Sequence, residues 1–346
     1  MTPSPTPLRD RIPCCGRAPF RDRIPCLDHR GEDGGDPEAT VRATTGRLIA
    51  LDTRIGARDL VASAASAATA AHHLARRSHT GDRELLSAAA EAHQVAGWIA
   101  YDAEHQRLSR RMSLEALRLA NAAGDRSMEH FALTQIAMQD VHLHRPAEAS
   151  HLCDTALTET RGSVRTLFTL RAARAAAQRG ERTRALGLIH LTHSRHREGP
   201  RDDDPPWAWW LNEAEIAWHH AMIHVDTGDR AGAVERFIAS THRPGYARAV
   251  FVAHAALLWA LARAHAWGEA ETVLLRDVLP RLGEVSSVRV ERMLVEAARL
   301  LDTAGRRPSL RDAAHGFIVA LGALRSPCHA AVPGTSSTVD VLTCAG

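Results

Sequence analysis

One arrangement of residues recurs five times along the chain and restricts the fold more than any other feature. Each copy has an anchor residue, with a turn five positions before it, a second close-contact residue twelve before it and an apolar residue four after it. The anchors are Leu108, Ala149, Ala185, Ala233 and Ala270. The second close-contact residues are Ala96, Ala137, Ala173, Ala221 and, as an exception to small size, Leu258. The turns are Ala103, His144, Gly180, Gly228 and His265, and the apolar residues are Met112, Cys153, Ile189, Phe237 and Leu274.

This arrangement has a direct physical meaning in helical repeat proteins. Two antiparallel helices approach closely only where small side chains face each other, and a large apolar residue one turn further on fills the gap toward the next pair. The anchors lie 41, 36, 48 and 37 residues apart, which is longer and less regular than the tetratricopeptide repeat of about 34 residues. The order of small, turn, small and large residues still resembles that repeat. We therefore predict an all-α fold, an α-solenoid of about six to seven tetratricopeptide-like hairpins, with flanking pairs at about 38–77 and 287–324.

The helical pattern covers residues 38–325, where apolar residues recur every three or four positions. Residues 1–37 contain the block RDRIPC twice, and its prolines oppose helix formation. Residues 326–346 are small, polar and proline-containing. We predict one helical repeat domain with a disordered tail at each end. Three cysteines of the first tail and His29 could in principle bind zinc, but their spacing matches no zinc module.

Several residues have the chemistry of helix ends. Asp125 and Ser163 are predicted N-caps, because a short polar side chain can accept a hydrogen bond from the free backbone N–H groups of the first turn. Pro308 is predicted to be a first helical residue, where its missing N–H costs nothing.

The composition narrows the possible classes of function. The 43 basic residues are all arginine, and 40 acidic residues nearly cancel them to a net charge of +3, with both signs mixed along the body. Nucleic-acid binders usually concentrate positive charge, so no direct nucleic-acid binding is expected. Six cysteines form no disulfide framework, no apolar run approaches the roughly 20 residues that span a bilayer, and the first residues do not resemble a signal peptide. We predict a cytoplasmic protein with no membrane partner.

The segment DDDPPWAWWLNEAEIAWHH, at 202–220, holds four of the seven tryptophans. Pro205 and Pro206 are predicted to set the start of the first helix of the fourth pair, and the three aspartates to favour its positive end. Tryptophan rings bury a large apolar area, so packing is the favoured role for most of them. We predict that these rings mainly anchor the new hairpin and that Trp218 alone faces a groove.

No motif in the chain predicts catalysis, a metal or a cofactor. H-E-x-x-H, G-x-S-x-G and a glycine-rich phosphate loop are all absent from the sequence. Glu213 and Glu215 lie two apart on a helix and face different directions. His220 and His224 have the i, i+4 spacing of helical metal sites, but chance pairs are expected among 21 histidines. We therefore predict a protein that is not an enzyme.

The first helices of such pairs line the concave face of a solenoid, and their exposed residues form the candidate binding groove. Residues one and five positions after the close-contact residues include methionine, aromatic and polar side chains, a mixture that suits a peptide, a small molecule or a partner protein. The alternative is that these residues only pack the inner curve. The predicted groove residues are Met138, His142, Arg174, Gln178, Trp218, Met222, Trp259 and Arg263.

Four strings carry a resemblance to a known family. They are AGWIAYDAEHQRLSRRMSLEALRLANAAGDRSMEHFALTQIAMQDVHLHRPAEA, DPPWAWWLNEAEIAWHHAMIHVDTGDRAGAV, GEVSSVRVERML and PSLRDAA. Over roughly residues 40–320 the chain resembles the C-terminal tetratricopeptide-like sensor region of actinobacterial XRE-type helix-turn-helix transcriptional regulators. The resemblance implies a regulatory module that senses a signal or binds a partner, in transcriptional regulation.

The N-terminal region departs from that family. Such regulators carry an N-terminal DNA-binding helical domain, whereas residues 1–37 have no helical periodicity and no recognition-helix candidate. One interpretation is a stand-alone sensor protein, for which a homodimer is left open. The alternative is a DNA-binding regulator whose helix-turn-helix domain is truncated or missed through a start-site error.

Overall fold

The computed structural model describes residues 36–77, 82–242, 247–304 and 308–325, which form fourteen α-helices and no β-strand. Consecutive helices pack against each other as antiparallel neighbours. The structure therefore confirms the predicted all-α helical-repeat fold. The helices are α1 Pro37–Ile55, α2 Val61–Arg77, α3 Arg83–Asp102, α4 Gln106–Ala123, α5 Arg126–His142, α6 Pro146–Glu159, α7 Gly162–Gln178, α8 Arg182–Arg197, α9 Glu213–Asp226, α10 Arg230–Thr241, α11 Ala247–Arg263, α12 Trp267–Val273, α13 Val288–Asp302 and α14 Pro308–Arg325.

The turns within the hairpins share one backbone geometry. His144, Gly180, Gly228 and His265, all predicted turn residues, have positive φ angles between 54° and 78°. In each case the next residue donates its N–H to the carbonyl five residues back, as in Asp229 N to His224 O at 2.8 Å. This is the Schellman arrangement, which satisfies the last carbonyls of the first helix and reverses the chain.

The first hairpin lies one residue away from its predicted register. The left-handed turn residue is Glu104, with φ 61°, instead of Ala103. The close contact is made by Gly97, where an added Cβ would lie 3.0 Å from Ser113 Oγ. Ser109 is fully buried at the anchor position, whereas Leu108 is only half-buried. A side chain as large as leucine cannot occupy the point of closest approach, so the smaller neighbour takes it.

The anchors of the other four hairpins were predicted correctly. Ala149, Ala185, Ala233 and Ala270 are each at most 2% exposed. Their partners in the first helices are similarly enclosed: Ala137, Ala173, Ala221 and Leu258 are each 0% exposed. The apolar residues one turn beyond, from Cys153 to Leu274, are also fully buried. Adding even one methylene at such positions would force neighbouring helices apart.

Helix capping agrees with the sequence at one predicted N-cap and differs at the other. Asp125 Oδ1 accepts from Met128 N at 3.0 Å. Ser163 is not a cap but lies inside α7, and its N and Oγ donate to Asp204 at 2.7 and 2.6 Å. The aspartate run was expected to favour the helix that follows it, but Asp204 instead caps α7, 41 residues earlier. Pro308 begins α14 as predicted.

The tryptophan-rich connection also differs from its prediction. Pro206 begins a 3-10 turn, Pro206–Trp210, and α9 starts only at Glu213, with Asn212 as its N-cap. Asn212 supplies the side-chain acceptor that Pro206 lacks. Residues 198–212 therefore form a separate connection, and three of the four tryptophans of 202–220 lie on it rather than on α9.

The solenoid closes on itself. α1 packs against α3 on one side and α11 on the other. Ser286, just before α13, donates its N–H to Ile55 O at 2.7 Å and accepts from Arg58 N at 3.2 Å. Gly56 permits this contact, because its φ is 85° and an added Cβ would lie 2.5 Å from Ser286 O. The Arg58 side chain also pairs with Glu291 of α13.

The predicted tails fall almost entirely outside the described residues, which include only Asp36 and Pro37 of the first tail and none of 326–346. Asp36 caps α1 by accepting from Glu38 N at 3.0 Å. Among the helices described, none is both long and apolar enough to cross a lipid bilayer.

Candidate functional site

A cavity of about 730 Å³ lies at the centre of the closed solenoid. It is lined by α1, by the first helices α3, α5, α9 and α11, by the end of α10, by Arg289 of α13 and by the connection 206–212. Ligand sites commonly have volumes of about 300–1,000 Å³ and are lined by apolar and aromatic side chains with a few polar groups. The cavity has the size and lining of a small-molecule site.

Aromatic rings form most of one side of this cavity. Five of the seven tryptophans line it: Trp98, Trp207, Trp209, Trp210 and Trp218. Trp207 lies parallel to Phe131 with ring centroids 4.5 Å apart, and its Nε1 donates to Ser127 Oγ at 2.9 Å. Trp209 is 49% exposed. All four tryptophans of 202–220 thus line the cavity. The prediction that Trp218 alone of these rings faces a groove was wrong.

A buried ion network joins the two ends of the solenoid beside these rings. Asp102 of α3 is fully buried, and its Oδ1 lies 3.0 Å from Arg248 Nη2 and 3.2 Å from Arg289 Nε. Burial alone would raise the pKa of Asp102, but the charges of Arg248 and Arg289 outweigh it and hold the pKa below its ordinary value. The two guanidinium groups also lie over aromatic rings, Arg248 over Trp98 at 5.2 Å and Arg289 over Trp218 at 5.4 Å.

Asp52 of α1 adds a second carboxylate to the network. Its Oδ2 accepts from Trp98 Nε1 at 3.0 Å, while Oδ1 lies 3.8 Å from Arg248 Nε. Burial raises the pKa of Asp52, and the neighbouring Asp102 adds to the shift, so Arg248 compensates it only in part. Within the described residues, Asp52 Oδ1 accepts no hydrogen bond. This oxygen belongs to a cavity-lining residue but is itself enclosed.

A second polar cluster lies behind Trp210 and Trp218. His219 Nε2 lies 3.0 Å from Glu215 Oε1, and Arg171 of α7 also contacts the imidazole. Burial and the charge of Arg171 lower the pKa of His219 to about 3. Burial opposes ionisation of Glu215, but the hydrogen bond with His219 and the charge of Arg171 lower its pKa to about 2. Both groups titrate far from pH 7, which suits fixed polar groups better than a proton-transfer pair.

Three of the eight predicted groove residues lie at or beside the cavity. Met138 and Trp218 line the cavity. Arg174 is buried behind Trp218, with its Nη2 3.1 Å from Asp226 Oδ2. The remaining five bind or pack elsewhere. His142 pairs with Glu104 at 3.2 Å, Gln178 donates to Val141 O at 3.0 Å, Met222 packs in the core, Trp259 is 7% exposed, and Arg263 pairs with Glu296 of α13 at 2.7 Å.

The difference in position between the predicted groove and the observed cavity has a structural cause. Sequence reasoning placed the groove near the C-terminal halves of the first helices, next to the turns. The cavity instead lies one to two turns toward their N-termini, because α1 and the connection 206–212 approach from that side. The concentration of tryptophan in 202–220 was the available signal for this site. Nothing in the sequence pairs Asp102 with Arg248 or Arg289, since those contacts exist only after the solenoid closes.

No family model, curated protein or solved structure matches this chain. The function must therefore be argued from the cavity and its charges.

Proposed function

We propose that this chain is a non-enzymatic sensor protein that binds a small planar molecule in the central aromatic cavity. The observation that carries the proposal is the placement of five of the seven tryptophans around one cavity of about 730 Å³. Rings bury a large apolar area and stack on flat ligands at little entropic cost. A ligand of drug-like size fits this volume, whereas a folded partner protein does not.

The polar atoms around the cavity indicate the kind of ligand. Gln135 Nε2 and Trp218 Nε1, on two cavity-lining residues, donate no hydrogen bond within the described residues, and Asp52 Oδ1 accepts none. These atoms are enclosed, so a ligand group reaches one of them only when a lining side chain moves. Because a buried polar group without a partner costs about 1–3 kcal/mol, such a pairing gains affinity and orientation. We therefore expect an aromatic compound that carries both a hydrogen-bond donor and an acceptor.

Regulation is the biological role that accompanies this proposal. It rests on the resemblance of residues 40–320 to the sensor regions of helix-turn-helix regulators. Ring closure offers a physical route, because a ligand in the cavity contacts both ends of the solenoid, through Asp52 of α1 and Arg289 of α13. Binding that favours the closed ring would change the outer surface presented to a partner protein.

Ligand-observed saturation-transfer NMR tests the binding role. The panel would contain aromatic amines, aromatic carboxylic acids, neutral heteroaromatics such as indole, and short peptides. We expect saturable binding of one aromatic class, and the Trp209→Ala variant should weaken it by about 2- to 10-fold through loss of one stacking ring. Trp209 is half-exposed, so this change should leave the fold intact.

Trp267→Ala is the matched control, since Trp267 meets His265 edge to face, with ring centroids 5.0 Å apart, and does not line the cavity. Its affinity for the same compound should equal that of the wild type. Equal weakening in both variants, or saturation by peptides alone, would argue against a small-molecule cavity.

A further inference from the structure

Three helices bring two histidines and a glutamate together, and none of these three residues lines the central cavity. His72 of α2, His93 of α3 and Glu115 of α4 each place one ligand atom within 4.8 Å of the others. A tetrahedral Zn²⁺ site with bonds of about 2.0–2.1 Å needs ligand atoms about 3.4 Å apart, so closure by at most about 1.4 Å would complete the geometry. This set differs from the histidines singled out in the sequence, because its members are separated along the chain.

His93 is already oriented as a metal ligand would be. It is 4% exposed, and its Nδ1 lies 2.9 Å from Ala89 O. The carbonyl can only accept, so Nδ1 carries the proton and Nε2 keeps its lone pair. Metal-bound histidines usually hold their second nitrogen in this way, which fixes the tautomer and the ring orientation.

His72 and Glu115 form the other half of the cluster. His72 Nδ1 lies 2.9 Å from Glu115 Oε1, and both side chains are only partly exposed. Arg118 binds the carboxylate at 2.7 and 3.0 Å, which orients it. The Arg118 side chain is 56% exposed, so its guanidinium can move toward solvent when a cation binds and keep one carboxylate oxygen.

We propose that His72, His93 and Glu115 form a binding site for a divalent transition metal ion of the Zn²⁺ class. Two imidazole nitrogens and one carboxylate oxygen are a donor set that Zn²⁺ uses, with water in the fourth position. When the ion binds His72 Nδ1, the ring proton that now faces Glu115 Oε1 moves to Nε2. Arg118, whose Nη2 lies 3.3 Å from Nε2, turns away toward solvent. The bound ion would link α2 to α3 and α4, the first repeat hairpin. It would thereby stabilise the packing of α2 against that hairpin without involving the cavity.

The local electrostatics are compatible with the site. Burial lowers the pKa of both His72 and His93, so both rings are neutral at pH 7 and need lose no extra proton to bind a cation. The hydrogen bond from Arg118 lowers the pKa of Glu115 despite burial, so the carboxylate is ionised. Arg118 is the main positive charge beside the site: its Nη2 lies 3.3 Å from His72 Nε2, and its charge adds to the lowering of the pKa of both histidines, whereas Arg76 adds a smaller effect at His72.

Titration of the full chain with Co²⁺, followed by its visible absorption, and then with Zn²⁺ by calorimetry tests this assignment. We expect one ion per chain at this site, with tetrahedral Co²⁺ absorption that Zn²⁺ removes, and a rise in Tm on metal addition. Glu115→Gln and His72→Ala should each weaken this binding by at least about tenfold. Circular dichroism of each metal-free variant checks that the helices persist.

A second group of histidines supplies the matched control. His193 Nε2 lies 3.2 Å from His220 Nδ1, near His190 and His224. His193→Gln should retain the Co²⁺ spectrum and the Zn²⁺ affinity of the wild type. Loss of the signal in His193→Gln with retention in His72→Ala would overturn the assignment, as would the absence of any Co²⁺ absorption in the wild type.

Discussion

Arg289 of α13 donates a hydrogen bond from Nε to Oδ1 of Asp102 on α3, at 3.2 Å and across 187 residues of sequence. Asp102 is fully buried, and Arg248 of α11 contacts the same oxygen. One carboxylate therefore holds two arginines from the last part of the solenoid against its first repeat. The pairing is possible only because the solenoid closes, and its two arginines line the candidate ligand cavity.

Asp102→Asn should destabilise the protein strongly. Removing the negative charge leaves Arg248 and Arg289 without their shared counter-charge, and breaking a buried ion pair on one side costs about 3–5 kcal/mol. The free energy of unfolding in urea measures this loss. Arg292→Ala is the control. The Arg292 side chain is 69% exposed, so its ion pair with Glu104 should contribute less than about 1 kcal/mol. Equal losses would contradict a special role for Asp102.

Gly56→Ala should weaken ring closure. The residue has φ 85°, and a Cβ would lie 2.5 Å from Ser286 O, so both strain and a backbone clash oppose the substitution. We expect a loss of about 1–3 kcal/mol in the free energy of unfolding. Gly46 lies within α1, the helix that Gly56 follows, and nothing lies within 4 Å of an added Cβ. Gly46→Ala should therefore stabilise by about 0.5–1 kcal/mol. A stabilised Gly56→Ala variant would show that the two ends do not meet at this contact.

Stability should fall as the pH is lowered from 6.5 toward 3. Burial and neighbouring positive charges lower the pKa of His219 and His220 to about 3 in the folded state, from an ordinary value of 6.5. The unfolded chain therefore takes up protons first, and each histidine costs up to about 2 kcal/mol by pH 5. Urea unfolding at pH 7.5 and pH 5 measures the difference. The His220→Gln variant should show a smaller difference, and an unchanged one would exclude His220 as a source.

Asp204→Ala should destabilise α7 and loosen the tryptophan-rich connection. Asp204 accepts from both the N and the Oγ of Ser163, so its loss removes an N-cap worth about 1–2 kcal/mol. The same change frees the segment that carries Trp207 and Trp210, so ligand affinity should fall as well. Thermal unfolding and the NMR titration measure the two effects. Asp203→Ala, at an exposed pair with Arg201, should change neither.

The repeat itself could be predicted from the sequence because its signals are local. Turns at His144, Gly180, Gly228 and His265, and the anchors that follow them, depend on backbone geometry and side-chain size within about 20 residues. The register failed only at Glu104, where a one-residue shift keeps a plausible apolar pattern.

The site could be predicted only in part, because its geometry depends on contacts that are distant in sequence. The first helices were correctly expected to line a concave face. Three such contacts leave no periodic pattern in the sequence: the contact of Gly56 with Ser286, the capping of α7 by Asp204 and the pairing of Asp102 with Arg289. The cluster of His72, His93 and Glu115 could not be predicted either, since its members lie on three helices and form no motif along any one of them.

Fluorine NMR of protein labelled with 5-fluorotryptophan tests the central claim most directly, because the seven tryptophans divide into two groups. Five line the cavity, whereas Trp259 and Trp267 do not. Addition of a compound that binds in the saturation-transfer panel should shift the resonances of Trp98, Trp207, Trp209, Trp210 and Trp218 and leave the other two unchanged. Shifts confined to Trp259 and Trp267, or no compound that shifts the five cavity resonances together, would contradict a ligand site at the centre of the ring.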